Sequence, residues 1–244
     1  MVSCYWTRNY RTYCAIIINN MDQFLEKIRA VENDSRNMVW WKPEQIDRGE
    51  HLRDDTIKGE RPWIIPETTG RFLYDCIHDH GYTRILELGT SIGYSTLWLA
   101  KALQDSNTSS KHSPGDGNEK PHIDTVERSD NKIPVAQKYF NEFGVGDMIT
   151  LHHTRISEFL QTIPDDTVYD CMFLDADRGH YHEYLPILQQ HLSPNGVIIA
   201  DNAGNMQTRM QPFLDLLTEY GFHWEILDID NGLLVARKNP LIIS

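Results

Sequence analysis

The chain has 244 residues, 35 acidic against 23 basic, and a formal net charge of -12. That length suits one α/β domain of ordinary size or two small ones, and 40% hydrophobic with 24% charged residues excludes wholesale disorder. The acidic balance argues against nucleic acid and against an anionic membrane as partners, because both need a basic face, and no apolar run approaches the ~18–20 residues of a membrane span.

Residues 1–60 read as an irregular N-terminal extension with a helical arm or lid, and residues 61–244 as the main domain. The first twenty residues show no period and read as a loose extension. Their apolar patch, residues 15–18, is too short for a secretory h-region of ~7–15 residues. Phe24, Leu25, Ile28 and Val31 then fall at helical spacing. Residues 33–66, with Trp40, Trp41, Pro43, Pro62, Trp63 and Pro66, read as an irregular arm. Four cysteines, Cys4, Cys14, Cys76 and Cys171, form no CxxC pair. Neither a zinc cage nor a disulfide framework follows, and reduced thiols in a cytoplasmic protein are expected.

From residue 67 the chain becomes regular. Helices are expected over 69–79, 94–103, 131–143, 156–163, 180–191 and 206–220. Strands are expected over 84–88, 123–127, 148–152, 168–174, 196–200, 224–229 and 233–237. Residues 105–121, rich in Ser, Asn, Gly and Pro, read as a surface loop. Asn231-Gly232 signals a hairpin between the last two strands. The alternation implies an α/β fold, a parallel sheet with right-handed crossovers, to which the hairpin adds one antiparallel strand. Ligands in such sheets bind beyond the carboxyl ends of the strands.

The first strand runs into Glu87-Leu88-Gly89-Thr90-Ser91-Ile92-Gly93-Tyr94-Ser95, where two glycines four apart allow a tight turn and close approach to a ligand. The spacing is not the GxGxxG dinucleotide fingerprint. Glu87 disfavours a phosphate there. The second strand ends in Glu127, a position that binds ribose hydroxyls in related folds. The fourth ends in Asp175-Ala176-Asp177-Arg178 and the fifth in Asp201-Asn202. Two carboxylates and an amide oxygen suit a hard divalent cation such as magnesium; helix capping is the competing reading for Asp201 and Asn202. The paired histidines have no metal-motif spacing and read as surface residues, His180 excepted because it adjoins these strand ends.

Taken in order, ILELGTSIGYSTLWLA (85–100), TVE (125–127), FLDADRGHYHEY (173–184), VIIADN (197–202) and NGLLVARK (231–238) resemble the S-adenosylmethionine-dependent class I O-methyltransferases of the catechol and caffeoyl-CoA type, with their small bacterial counterparts. The resemblance covers roughly residues 60–238. It implies a Rossmann-like seven-stranded mixed sheet with helices on both faces and the last strand antiparallel. It implies that Glu87, Gly89, Gly93, Tyr94 and Ser95 cradle the methionine part of S-adenosyl-L-methionine, with Thr90 and Ser91 in the same loop. Glu127 would hold the ribose, Ile156 and Ser157 would edge the adenine with Ala176 beneath it, and Ile65 would touch the cofactor from the arm. Asp175 would face both cofactor and metal. Asp175, Asp201 and Asn202 would bind a magnesium-like ion that holds the acceptor oxygens.

The expected partner is a small hydroxylated acceptor, catechol-like or a hydroxylated acyl compound, with a homodimer left open. The family usually carries lysine where this chain has Arg178, and assigns that lysine the proton-accepting role. Arginine stays charged and can only stabilise an anion, so the proton would leave through water, through His180 or from the metal-bound state. Where the catechol enzymes place a carboxylate near the last turn, this chain has Asn231 beside Asp230. A metal-independent methyltransferase and a non-catalytic cofactor-binding protein remain the alternatives.

Overall fold

The computed structural model describes residues 11–38, 62–108, 120–204 and 207–238, with backbone alone for 11–20, 37, 107–108 and 207. The chain divides into two compact units, residues 1–38 and 39–244. The expected boundary near residue 60 lies outside the described residues, as do residues 1–10, most of the tryptophan-rich arm and residues 109–119 of the polar loop.

The first unit is a helix, α1 (Arg11–Asn37). Phe24, Leu25, Ile28 and Val31 form its apolar stripe, at the spacing that puts residues on one face. The loose extension expected over 1–20 is therefore corrected from Arg11 onward. Ile16, Ile17 and Ile18 fall in succession, which blurred the helical period although helix propensity tolerates them. The first residues assigned to the arm, 33–37, are the end of this helix.

The second unit opens with the irregular segment 62–66 and helix α2 (Glu67–His80), closed by Gly81 in the left-handed conformation at φ +66°. There follow β1 (Arg84–Leu88), α3 (Tyr94–Thr108), β2 (His122–Glu127), α4 (Ile133–Glu142), β3 (Ile149–His153) and α5 (Ile156–Leu160). Then come β4 (Tyr169–Leu174), α6 (Tyr181–Leu188), β5 (Leu192–Ala200), α7 (Gln207–Glu219), β6 (His223–Leu227) and β7 (Leu233–Arg237). Residues 105–108, read as loop, extend α3. The strand expected over 196–200 begins at Leu192, because Tyr169 pairs with Leu192 across a register shift.

The seven strands form one sheet in the order β3-β2-β1-β4-β5-β7-β6. Strands β1 to β5 pair parallel, and β7 pairs antiparallel with both β5 and β6. Strands buried on both faces read as near-continuous apolar runs, as in Met172–Leu174 and Val197–Ala200. One face, with Leu86, Leu88, Val126, Met172, Leu174, Ile198 and Ala200, packs on Phe159, Tyr181, Leu185, Phe213 and Leu217 from α5, α6 and α7. Each fully buried aliphatic or aromatic side chain here contributes ~1.5–3 kcal/mol. The other face meets α3, where Ser95 and Thr96 donate to Glu87, as does Thr125 from β2. Helices thus cover both faces, as the alternation of strands and helices implies. The final hairpin has a five-residue loop, 228–232, rather than a two-residue turn, with Asp230 at φ +52° and Gly232 at φ +88°.

Candidate functional site

The strand order reverses between β1 and β4, and the crevice at such a switch point is where open α/β sheets bind their ligands. Gly89 crosses it at φ +111°, and a Cβ there would stand 2.2 Å from the Asp175 carbonyl oxygen. Glycine is required for that approach. Gly93 sits at φ +87°, where a Cβ would stand 2.6 Å from the Phe140 ring. Between them the loop is fastened to β2. The N–H groups of Gly89 and Thr90 donate to Val126 O at 3.2 and 3.1 Å, and the hydroxyls of Thr90 and Thr125 lie 2.6 Å apart.

Glu127, at the end of β2, is held by three backbone donors. Ser91 N–H donates to Oε2 at 2.8 Å, and Arg128 and Ser129 N–H donate to Oε1 at 2.9 Å each. Ser91 takes φ +49° to make its bond. Thr154 N–H donates to Glu127 O at 3.1 Å, which brings half-buried Ile156 and exposed Ser157 to the same edge. Half-buried Ala176 donates its N–H to the Tyr181 hydroxyl at 2.7 Å, so the chain leaving β4 is tied to α6. Ile65 is buried in the segment before α2, and Tyr94 is buried at the start of α3.

Glu87 and Ser95 differ from the expected cradle. Glu87 is fully buried, and its carboxylate accepts from the Ser95, Thr96 and Thr125 hydroxyls. Burial pushes its pKa up, and these three bonds oppose the rise. Both side chains therefore face inward and support the glycine loop from below. Thr96 and Thr125 were missing from the sequence reading. Thr125 is found through the register that sets it against Glu87, and Thr96 follows Ser95 on α3.

Three of the expected metal ligands occupy adjacent strand ends. Asp175 N–H donates to Leu88 O at 3.0 Å and Asp201 N–H to Leu174 O at 3.1 Å, which aligns the two loops. Arg178 bridges them: Nη2 donates to Asp175 Oδ1 at 3.2 Å and Nε to the Asp201 carbonyl at 3.0 Å. Burial raises the Asp175 pKa while Arg178 pulls it down. Burial and then the charge of Asp175 raise that of Asp201. Asn202, at φ +58°, donates from Nδ2 to Asp201 Oδ2, and its Oδ1 accepts from Asn231 Nδ2 at 3.0 Å. Asp201 and Asn202 lie in a turn, 201–204, ahead of α7, so they are not caps of that helix. Among the described residues, no group of three or more His, Cys, Asp and Glu side chains has the geometry of a metal site. No described helix is long and apolar enough to cross a membrane. Next to this corner, His180 Nδ1 lies 3.2 Å from Asp177 Oδ2.

Residues 86–203 match the sequence pattern of a family described as "Methyltransferase domain". A catechol O-methyltransferase of Niastella koreensis is 31% identical over 140 residues, 57% of each chain. The chain spans about half the length of the curated relatives it matches. A methyltransferase of Podospora anserina, solved with S-adenosylhomocysteine, superposes with a TM-score of 0.66 at 18% identity, covering 98% of this chain and 100% of that one. An O-methyltransferase of Bacillus cereus, also solved with S-adenosylhomocysteine, superposes with a TM-score of 0.60 at 21% identity, covering 85% of this chain and 96% of that one. In sequence and in fold the chain is similar to the class I O-methyltransferases.

Proposed function

We propose that the protein is an S-adenosylmethionine-dependent O-methyltransferase that acts in the cytoplasm on a hydroxyl of a small molecule, catechol-like or a hydroxylated acyl compound. The observation that carries this reading is the crevice between β1 and β4. A glycine loop packed closely on the chain leaving β4 lies beside a carboxylate pre-oriented by three N–H donors. With Oε1 accepting two N–H groups and Oε2 one, Glu127 keeps an acceptor site on Oε2 for a ribose hydroxyl. The similarity to O-methyltransferases supports the same reading.

The cofactor, when bound, supplies a methyl group already activated as a sulfonium. The chain's own residues then have to orient and to neutralise. The loop 89–93 and Glu127 fix the cofactor so that an acceptor oxygen can approach in line. Arg178, aimed by Asp175 and the Asp201 carbonyl, stabilises the developing oxyanion and accepts no proton. His180, oriented by Asp177, is the nearby imidazole that takes the proton.

A divalent cation fits the donor set in chemistry: two hard carboxylates, Asp175 raising the pKa of Asp201 by its charge, with an amide oxygen alongside. Held by Asp175, Asp201 and Asn202, it would lower the pKa of an acceptor hydroxyl. A metal-independent transferase is the second reading. The Arg178 bridge favours it, since the guanidinium already sets one positive charge between the two loops.

Calorimetry with S-adenosylhomocysteine tests the central claim. Glu127→Ala removes a charge-assisted bond of ~1.5–3 kcal/mol to the ribose, so affinity falls about tenfold or more. Unchanged affinity rejects the site. Turnover on a panel of catechols and hydroxylated acyl thioesters, with and without EDTA, separates the metal-assisted from the metal-independent enzyme. Binding without any turnover leaves a cofactor-binding protein.

A further inference from the structure

Below α5, away from the glycine loop, lies a cavity of about 320 Å³. That is the lower end of the size range of small-molecule sites, ~300–1,000 Å³. Its floor is the core-bearing face of the sheet near the strand beginnings. Arg84 opens β1 and lies in register with His122, which opens β2; Asp124 follows two residues on, and Tyr169 opens β4. His152 of β3 and Phe159 of α5 complete the wall, with ring centroids 4.5 Å apart.

The polar groups of this cavity divide sharply. Asp124 is satisfied: Oδ1 accepts from His152 Nε2 at 2.8 Å and Oδ2 from the Tyr169 hydroxyl at 3.1 Å. His122 Nε2 lies 3.0 Å from the Thr150 hydroxyl. Arg84 is the exception. Among the described residues its guanidinium makes no hydrogen bond, only a 3.9 Å ion contact with Asp124 and a position 6.0 Å from the Tyr169 ring centroid. Its side chain is 28% exposed, so it stands at the cavity mouth with its planar fork of donors uncommitted. Such a fork matches a carboxylate in two parallel bonds. Phe159, Ile163 and Pro164 supply apolar lining, with Thr162 and Thr167 beside them.

We propose that this cavity is a second ligand site, separate from the crevice between β1 and β4, which takes a small carboxylate carried on a compact ring. Arg84 holds the carboxylate, and Phe159 packs on the ring. Asp124 stays bonded to His152 and Tyr169 and sets the cavity's shape rather than competing for the guanidinium, from which it stands too far for a hydrogen bond. The inference needs no methyl transfer.

Benzoate, 4-hydroxybenzoate and cyclohexanecarboxylate, with benzamide as the neutral control, are the probes, measured by calorimetry on the full chain. At least one carboxylate is expected to bind saturably below about 10 mM, the range of weak small-ligand sites, while benzamide binds at least tenfold more weakly. Binding persists with S-adenosylhomocysteine present. Arg84→Met weakens the carboxylate about tenfold or more, and Arg84→Lys, which keeps the charge and loses the fork, weakens it less. Unaltered affinity of Arg84→Met for S-adenosylhomocysteine shows that this variant is folded; if it is not, Arg84→Lys carries the test by its smaller loss. The proposal is overturned if no carboxylate saturates, if benzamide binds equally, if the Arg84 variants bind like the parent, or if S-adenosylhomocysteine displaces the probe.

Discussion

Arg178 touches both acidic loops of the crevice at once, and its side chain is only 19% exposed. A cation so placed offsets the cost of two buried carboxylates, and its removal leaves them uncompensated. Arg178→Met is therefore expected to lower the melting temperature and, on an acceptor found by the panel, to slow turnover ~10²-fold, the scale of one lost oxyanion donor. Arg178→Lys keeps the charge but loses the two-point tie, so its rate lies between the two. Parent-like turnover of the Met variant would refute the electrostatic role. At the same scale Gly89→Ala meets both a left-handed φ and the Asp175 carbonyl, and is expected to cost more than the ~1 kcal/mol of backbone strain alone. A thermal melt checks it. The residue types of this crevice were legible in the sequence. Gly89, Glu127, Asp175 and Asp201 follow buried strands, where packing gives no reason for a glycine or an acid. The inward turn of Glu87 was not legible, because it depends on which strand face meets α3 and on a hydroxyl from β2 that only the register supplies.

Among the elements, the loop between β6 and β7 does more than close a hairpin. The Thr68 and Thr69 hydroxyls, at the start of α2, both donate to the Asp230 carboxylate; the Thr69 bond is 2.7 Å. Asn231 reaches Asn202 on the other side, and Gly204 N–H donates to Asn231 O at 2.9 Å. The loop thus joins α2, which follows Ile65, to the turn that carries Asp201. Asp230→Gly is the informative substitution: it relieves the positive φ and removes only the carboxylate. A net loss of about 1 kcal/mol, or ~2–4 °C in melting temperature, is expected if the hydrogen bonds outweigh the strain. An unchanged or higher melting temperature would show that relief of the strain matches or exceeds the lost bonds. Helices and strands of this unit were readable from periodicity to within a few residues, since their apolar runs are local. This junction was not, because its partners lie 162 residues apart in the chain and nothing in either segment names the other. The start of α1 was missed for the opposite reason, a local signal too weak to separate helix from extension.

For the whole molecule the distribution of charge sets the response to pH. The net charge of -12 repels itself most above neutrality and falls toward the sequence pI of about 5.3. The buried acids act in the same direction. Burial raises Glu87; burial raises Asp175 and Asp201, and Asp175 raises Asp201 further. An acid whose folded pKa lies above its unfolded value gives stability that is fully present below the unfolded pKa and is lost as pH rises through the folded one. The folded chain therefore takes up protons that the unfolded chain no longer holds, in the range above ordinary carboxylate titration. Asp124 runs the other way. Burial would raise it, but His122, whose Nε2 lies 3.7 Å from Oδ1, and the bonds of His152 and Tyr169 hold it well below the usual range. Its stabilisation is present above the unfolded carboxylate pKa and is lost only under strong acid, well below pH 6. With EDTA present, the melting temperature at pH 6 is therefore expected to exceed that at pH 8 by more than ~2 °C, the shift that about 1 kcal/mol produces in a chain of this size. Asp201→Asn, which removes one of the raised acids, should shrink the difference and raise the melting temperature at pH 8. A profile that is flat or falls from pH 8 to pH 6, or an Asp201→Asn variant less stable than the parent at pH 8, would show that these carboxylates are fully compensated in the folded chain.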